Sequence, residues 1–132
     1  MRHKINLIIA YLLLSLTSCS INKDEISGVY ITPGLKNNAD TLVILKNGTY
    51  EHKIYDKKSK SLTFYHKDKW SFNRDYLRLE NFYNNRDEQY TPEHNFKIGQ
   101  INTSVIPKRQ GGTIIFDYGD YSDGKFIYNK IK

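Results

Sequence analysis

The segment Leu42-Val43-Ile44-Leu45-Lys46-Asn47-Gly48-Thr49-Tyr50 constrains this chain more than any other. Asn-Gly supplies the positive backbone φ that a tight hairpin requires, and the flanking residues suit a pleated, half-buried surface. Two registers are open. A two-residue turn sets Leu45 opposite Tyr50. A three-residue turn with Gly48 in a bulge sets Ile44 opposite Tyr50 and Leu42 opposite His52. The second is preferred, because it puts Leu42, Ile44, Tyr50 and Ile54 on one face, and a one-residue slip would turn that face outward. An isolated two-stranded ribbon is marginal in water, so the sheet must continue.

Continuation is visible along the chain. Short alternating runs fall at Ser27–Ile31, Thr41–Leu45, Thr49–Tyr55, Ser61–Phe72, Tyr76–Phe82, Phe96–Ile106, Thr113–Tyr118 and Lys125–Ile131. Turn signals about 8–12 residues apart suggest an all-β barrel or sandwich. In the fourth run Leu62, Phe64, His66, Trp70 and Phe72 share a face, with Lys67 and Lys69 opposite; Asp68 interrupts the apolar row, so a bend is expected near His66–Lys69. Leu77 and Leu79 should point inward. The last run places Phe126 and Tyr128 on one face and Ile127 and Ile131 on the other. A supply of 11 Tyr, 6 Phe and 1 Trp is consistent with sheet. No helical period is visible beyond the first residues, and the longest polar connection is Asn84 to Glu93.

The N-terminus reads as a targeting segment. Arg2, His3 and Lys4 precede an apolar run from Ile5 to Leu16, interrupted only by Asn6 and Ser15. Spanning a bilayer takes roughly 20 apolar residues, so this run fits the hydrophobic region of a secretory signal instead. Leu16-Thr17-Ser18-Cys19 resembles the lipobox of bacterial lipoproteins. That resemblance implies a diacylglyceryl group on the Cys19 thiol, cleavage just before it, and usually acylation of the new amino group. Cys19 is the only cysteine, so it has no partner for an intramolecular disulfide. Two or three acyl chains anchor stably where one does not. The expected organisation is a signal peptide over 1–18, a lipidated tether over 19–26 and a folded domain over 27–132. In Gram-negative systems Ser20 after the cysteine points to the outer membrane. Lys23-Asp24-Glu25 resembles a lysine-plus-acidic signal for the cell surface and reads equally well as solvated tether.

The folded part carries a second resemblance. Gly28-Val29-Tyr30, then Leu42-Val43-Ile44 with Asn47-Gly48-Thr49-Tyr50, then Lys69-Trp70, then Tyr76-Leu77-Arg78-Leu79 resembles the lipocalin-like pattern of small secreted Gram-negative lipoproteins. The glycine usual before the tryptophan is replaced by Asp68-Lys69. The resemblance implies an up-and-down antiparallel β-barrel of about eight strands with Trp70 in its core. It implies no chemistry.

Catalytic constellations are scarce. His52, His66 and His94 follow the leader, and none pairs with a cysteine or second histidine at metal-ligand spacing. Serine-hydrolase elbow, zinc-protease and phosphate-loop motifs are missing. Asp117, Asp120 and Asp123-Gly124 fall every third residue, whereas a calcium loop needs ligands at alternate positions. Lys108 and Arg109, in a segment ending Gly111-Gly112, are expected on a loop beside the one carrying Tyr118 and Tyr121. These four residues form the candidate interaction surface. The chain carries a formal charge of +6, two of whose cations, Arg2 and Lys4, belong to the leader. Lys57, Lys58 and Lys60 read as solvated surface.

These features predict a non-enzymatic, cofactor-free, monomeric outer-membrane lipoprotein. Its partners are the membrane, through the anchor, and an envelope or extracellular protein or a glycan; an extracytoplasmic address argues against nucleic acid. An immunity-type or envelope accessory role fits. The alternative is a carrier, since an eight-stranded barrel can hold one small ligand, although Trp70, Phe64 and Phe72 argue for a filled core.

Overall fold

The computed structural model describes residues 20–85, 101–121 and 124–132, without the side chains of 120–125. The leader, Cys19, His94 and most of the polar connection from Asn84 lie outside these residues.

Among the described residues a helical turn, α1 (Lys23–Ile26), is followed by nine strands: β1 (Gly28–Ile31), β2 (Asn38–Ile44), β3 (Thr49–Asp56), β4 (Leu62–Asn73), β5 (Tyr76–Phe82), β6 (Ile101–Val105), β7 (Pro107–Gln110), β8 (Thr113–Tyr121) and β9 (Gly124–Lys130). They form one curled antiparallel sheet in the order β6-β5-β4-β3-β2-β1-β9-β8-β7. The two ends of that order, β6 and β7, are successive stretches of chain separated only by Ile106, so the sheet comes back on itself as a barrel-like body. The expected all-β, up-and-down architecture is present, and the expected strands lie within a few residues of the observed ones. The expected strand Phe96–Ile106 is present as β6 over Ile101–Val105, its first five residues lying outside the described ones, and β7 is a ninth strand where a loop was expected. β6 pairs with β5 up to Val105, and after Ile106 the chain changes partner to β8.

The hairpin adopts the preferred register, with Ile44 opposite Tyr50 and Leu42 opposite His52. Gly48 has φ 85°, its N–H donates to Leu45 O at 3.2 Å, and Leu45 N–H donates to Thr49 O at 2.9 Å. This is the turn-plus-bulge geometry that needs a left-handed residue. Leu42, Ile44, Tyr50 and Ile54 are all buried, as are Leu77, Leu79, Phe126 and Tyr128. Trp70 is buried as expected, and its Nε1 donates to Leu45 O at 2.7 Å. Leu62 departs from its expected face and is 50% exposed. Ile54 pairs with Phe64 but Tyr55 pairs with Leu62; the extra residue, Thr63, forms a bulge that turns Leu62 outward.

Strand directions define two ends. The proximal end carries α1, the hairpin at Asn47-Gly48, the β4–β5 turn, Gly111-Gly112 and the C-terminus. The distal end carries the β1–β2 and β3–β4 connections and the chain leaving β5. The expected tether ending at Ile26 is partly structural, because α1 packs on the barrel. Ile26 is fully buried, and its carbonyl accepts from Tyr30 OH at 2.6 Å. Glu25 binds Arg109 and its carbonyl accepts from Lys130 Nζ at 2.6 Å, while Lys23 Nζ lies 5.6 Å from the Trp70 ring. Gly28 then enters β1 at φ 151°, where a Cβ would sit 2.1 Å from Lys132 O.

Candidate functional site

The chemically distinctive feature of the interior is a buried polar group built by three strands. The inward phase of β2 carries Asp40, Leu42 and Ile44; that of β3 carries Tyr50, His52 and Ile54; that of β9 carries Phe126 and Tyr128. Because Leu42 stands opposite His52 and Asp40 opposite Ile54, Asp40 and His52 are diagonal neighbours on one face. His52 Nε2 lies 2.8 Å from Asp40 Oδ1. Tyr128 OH donates to the same oxygen at 2.7 Å and lies 3.3 Å from His52 Nε2. All three side chains are essentially inaccessible to water.

Aromatic rings surround this group. Phe82 stacks on the imidazole of His52 with centroids 4.9 Å apart, and Phe64 meets it edge-on at 5.5 Å. Phe82 in turn stacks on Tyr118 at 6.0 Å. Burial pushes the Tyr128 phenol well above its usual range, and the Asp40 carboxylate adds to the shift. Asp40 Oδ2 and His52 Nδ1 are enclosed and have no hydrogen-bond partner among the described residues.

An Asp–His pair is two-thirds of a hydrolytic triad, but among the described residues no hydroxyl stands within hydrogen-bond distance of His52 Nδ1. Through its hydrogen bonds the group is a polar centre that links β2, β3 and β9. Among the described residues no group of three or more His, Cys, Asp or Glu is placed to hold a metal ion, and no helix is long and apolar enough to cross a membrane.

The residues picked from sequence are separated. Lys108 and Arg109 belong to strand β7 near the proximal end, not to a loop. Lys108 Nζ lies 3.6 Å from Asp117 Oδ2, and Arg109 binds Glu25. Tyr118 corrects the expectation of a loop-borne contact. It follows Phe116 on the inward phase of β8, and its ring is half-buried against Phe82, Phe126 and Tyr128. Tyr121 ends β8 at the distal end, opposite Gly124; its side chain lies outside the description. Lys108 and Arg109 are thus not brought together with the Tyr118 ring. Asp117 and Asp120 likewise lie within β8 rather than in an acidic loop. His66 sits 3.6 Å from Asp68 on β4, and its pKa is lowered, first by burial. Cys19 lies outside the described residues.

Asp40 and Tyr128 are not among the candidates picked from sequence, and His52 stood out there only as a histidine without a partner at metal-ligand spacing. The available signal was phase: Asp40 falls in step with Leu42 and Ile44, and His52 with Tyr50 and Ile54.

Comparisons with protein-family models, with curated proteins and with solved structures find no match.

Proposed function

We propose that this chain is a lipid-anchored lipoprotein of the bacterial envelope, probed by its partners at the barrel surface, and that it works as a non-enzymatic interaction module for a protein or a glycan. The observation that carries the reading is the filling of the described interior by aromatic side chains. Tyr30 stacks on Phe116 with centroids 4.1 Å apart, and Phe82 is packed between His52 and Tyr118. A barrel plugged by its own rings recognises a partner from outside. The lipobox-like Leu16-Thr17-Ser18-Cys19 supports the anchor and the outer-membrane address. An immunity-type or envelope accessory role is compatible with both, and the lipocalin-like motif order supports the same class of body.

One observation favours the second reading, a small-ligand carrier. Asp40 Oδ2 and His52 Nδ1 would suit a small polar ligand reaching the distal half of the barrel. Native mass spectrometry of the purified protein separates the two. The interaction module should show the bare polypeptide mass with its lipid, and a photocrosslinker at exposed Lys58 in living cells should give a discrete adduct. A stoichiometric small molecule lost in Asp40→Asn, with no adduct at Lys58, would select the carrier.

A further inference from the structure

We propose that the proximal end of the barrel is a bilayer-contact face that rests on anionic lipid headgroups. This rests on the membrane-anchored reading and adds an orientation to it. The first described residues, Ser20 and Ile21, lie in an open cleft of about 430 Å³ whose walls include Phe72, Ile106 and Lys108, with Asp75 as its acid. Chain preceding Ser20 consists of Cys19 and, before it, the apolar run Ile5 to Leu16. Whether acyl chains or that run hold the protein, the membrane lies where Ser20 emerges.

The side chains there suit such a surface. Ile106 is 45% and Tyr76 51% exposed, and both lie beside the cleft, next to Pro107 and Asp75 in the chain. The same end of the barrel carries exposed cations: Lys46 in the β2–β3 hairpin turn, Arg74 in the β4–β5 turn and Lys108 on β7. Aliphatic and aromatic groups interleaved with lysine and arginine enter the headgroup layer while the charges meet lipid phosphates. Docking of α1 through Ile26, Glu25 and Lys130 leaves only Ser20 to Asn22 between Cys19 and the ordered body. The body is therefore held with this end down, and the distal connections face away from the bilayer.

The test uses residues 20–132, which contain α1 and every described strand but no lipid site, so its outcome is independent of whether Cys19 is acylated. Co-sedimentation is measured with vesicles of phosphatidylcholine alone and with added phosphatidylglycerol. Binding is expected only with the anionic lipid. Lys46→Glu with Lys108→Glu should weaken it about tenfold or more, and Ile106→Ser with Tyr76→Ser should weaken it further. Lys57→Glu with Lys58→Glu makes the same charge change at the distal end and should leave binding unchanged. Circular dichroism confirms that each variant is folded. Equal loss in the proximal and distal pairs, or absence of binding by the parent chain, overturns the proposal. Failure of fatty-acid labelling at Cys19 would instead overturn the anchor.

Discussion

His52 Nε2 and Asp40 Oδ1 lie 2.8 Å apart with both side chains fully shielded from water, and Tyr128 OH shares the same carboxylate oxygen. Removing one member of a buried pair strands the other, at a cost of about 3–5 kcal/mol, whereas replacing both by apolar groups is often neutral. Asp40→Ala should therefore lower unfolding free energy by that amount in urea titrations, and Asp40→Leu with His52→Leu should recover much of it. A loss below about 1 kcal/mol for Asp40→Ala would show that the polar centre does not hold the strands.

Alkaline pH should unfold the protein through its buried tyrosines. Tyr30, Tyr50 and Tyr128 have pKa values raised above the ordinary 10.0, in each case chiefly by burial. A raised folded pKa gives stability that is complete below the unfolded pKa of 10.0 and is lost as pH climbs towards the folded value. The buried three should ionise only together with loss of far-ultraviolet sheet signal. Smooth ionisation of all tyrosines in a still-folded protein would contradict this.

Gly28 and Gly48 should differ in their tolerance of a methyl group. Both have positive φ, but a Cβ at Gly28 meets Lys132 O at 2.1 Å and Lys130 Cε at 2.5 Å, whereas nothing lies within 4 Å at Gly48. Gly48→Ala should cost about 1–2 kcal/mol, the strain of a left-handed L-residue. Gly28→Ala should cost more, because the C-terminal strand must move as well, and its melting temperature should be the lower of the two.

Trp70 closes the proximal end of the core. Trp70→Ala should cost about 3–5 kcal/mol by equilibrium unfolding. Trp70→Phe keeps most of the packing but deprives Leu45 O of its 2.7 Å donor, and should cost about 1–3 kcal/mol. Equal effects would mean that the hydrogen bond, not the volume, dominates.

Anchoring is tested at Cys19. Cys19→Ala should abolish fatty-acid labelling and either release the protein from membranes or leave it uncleaved; equal labelling of wild type and variant would sink the assignment. The role of Lys23-Asp24-Glu25 in surface display needs a narrower change, because Glu25 binds Arg109 and Asn22 N–H. Asp24→Ala alters only an exposed residue of α1, and reduced protease accessibility on intact cells in that variant would support an export signal.

Much of the sheet was legible because its determinants are local. Period-two alternation marks each strand, and Asn47-Gly48 set the β2–β3 register because only a left-handed residue closes that turn with Leu42 and Ile44 inward. Trp70, Leu77 and Leu79 followed from the same phase rule, which also put Phe126 and Tyr128 on one face. The phase rule fails where a backbone irregularity intervenes, and Leu62 turned outward at a bulge that no turn residue announces. It also fails where chain neighbours take different partners, as at Ile106, across which β6 and β7 join opposite edges of the sheet.

The sequence by itself determined most of the strands and which of their faces is apolar, because both depend on residues within a few positions of one another; β7, read as a loop, and Leu62, turned outward by a bulge, are the exceptions. Only the tertiary structure decided what the polar residues on that inner face do. Asp40 and His52 are 12 residues apart, and Tyr128 stands 88 from Asp40. In isolation each reads as a polar residue on a strand. Curling of the sheet brings β9 alongside β1, carries Tyr128 to the Asp40 carboxylate, and turns Tyr118 inward onto Phe82 while leaving Lys108 and Arg109 at the proximal end. Hydrogen bonds across such distances in the chain exist only once the strands have closed, so their geometry is a property of the barrel rather than of any segment in it.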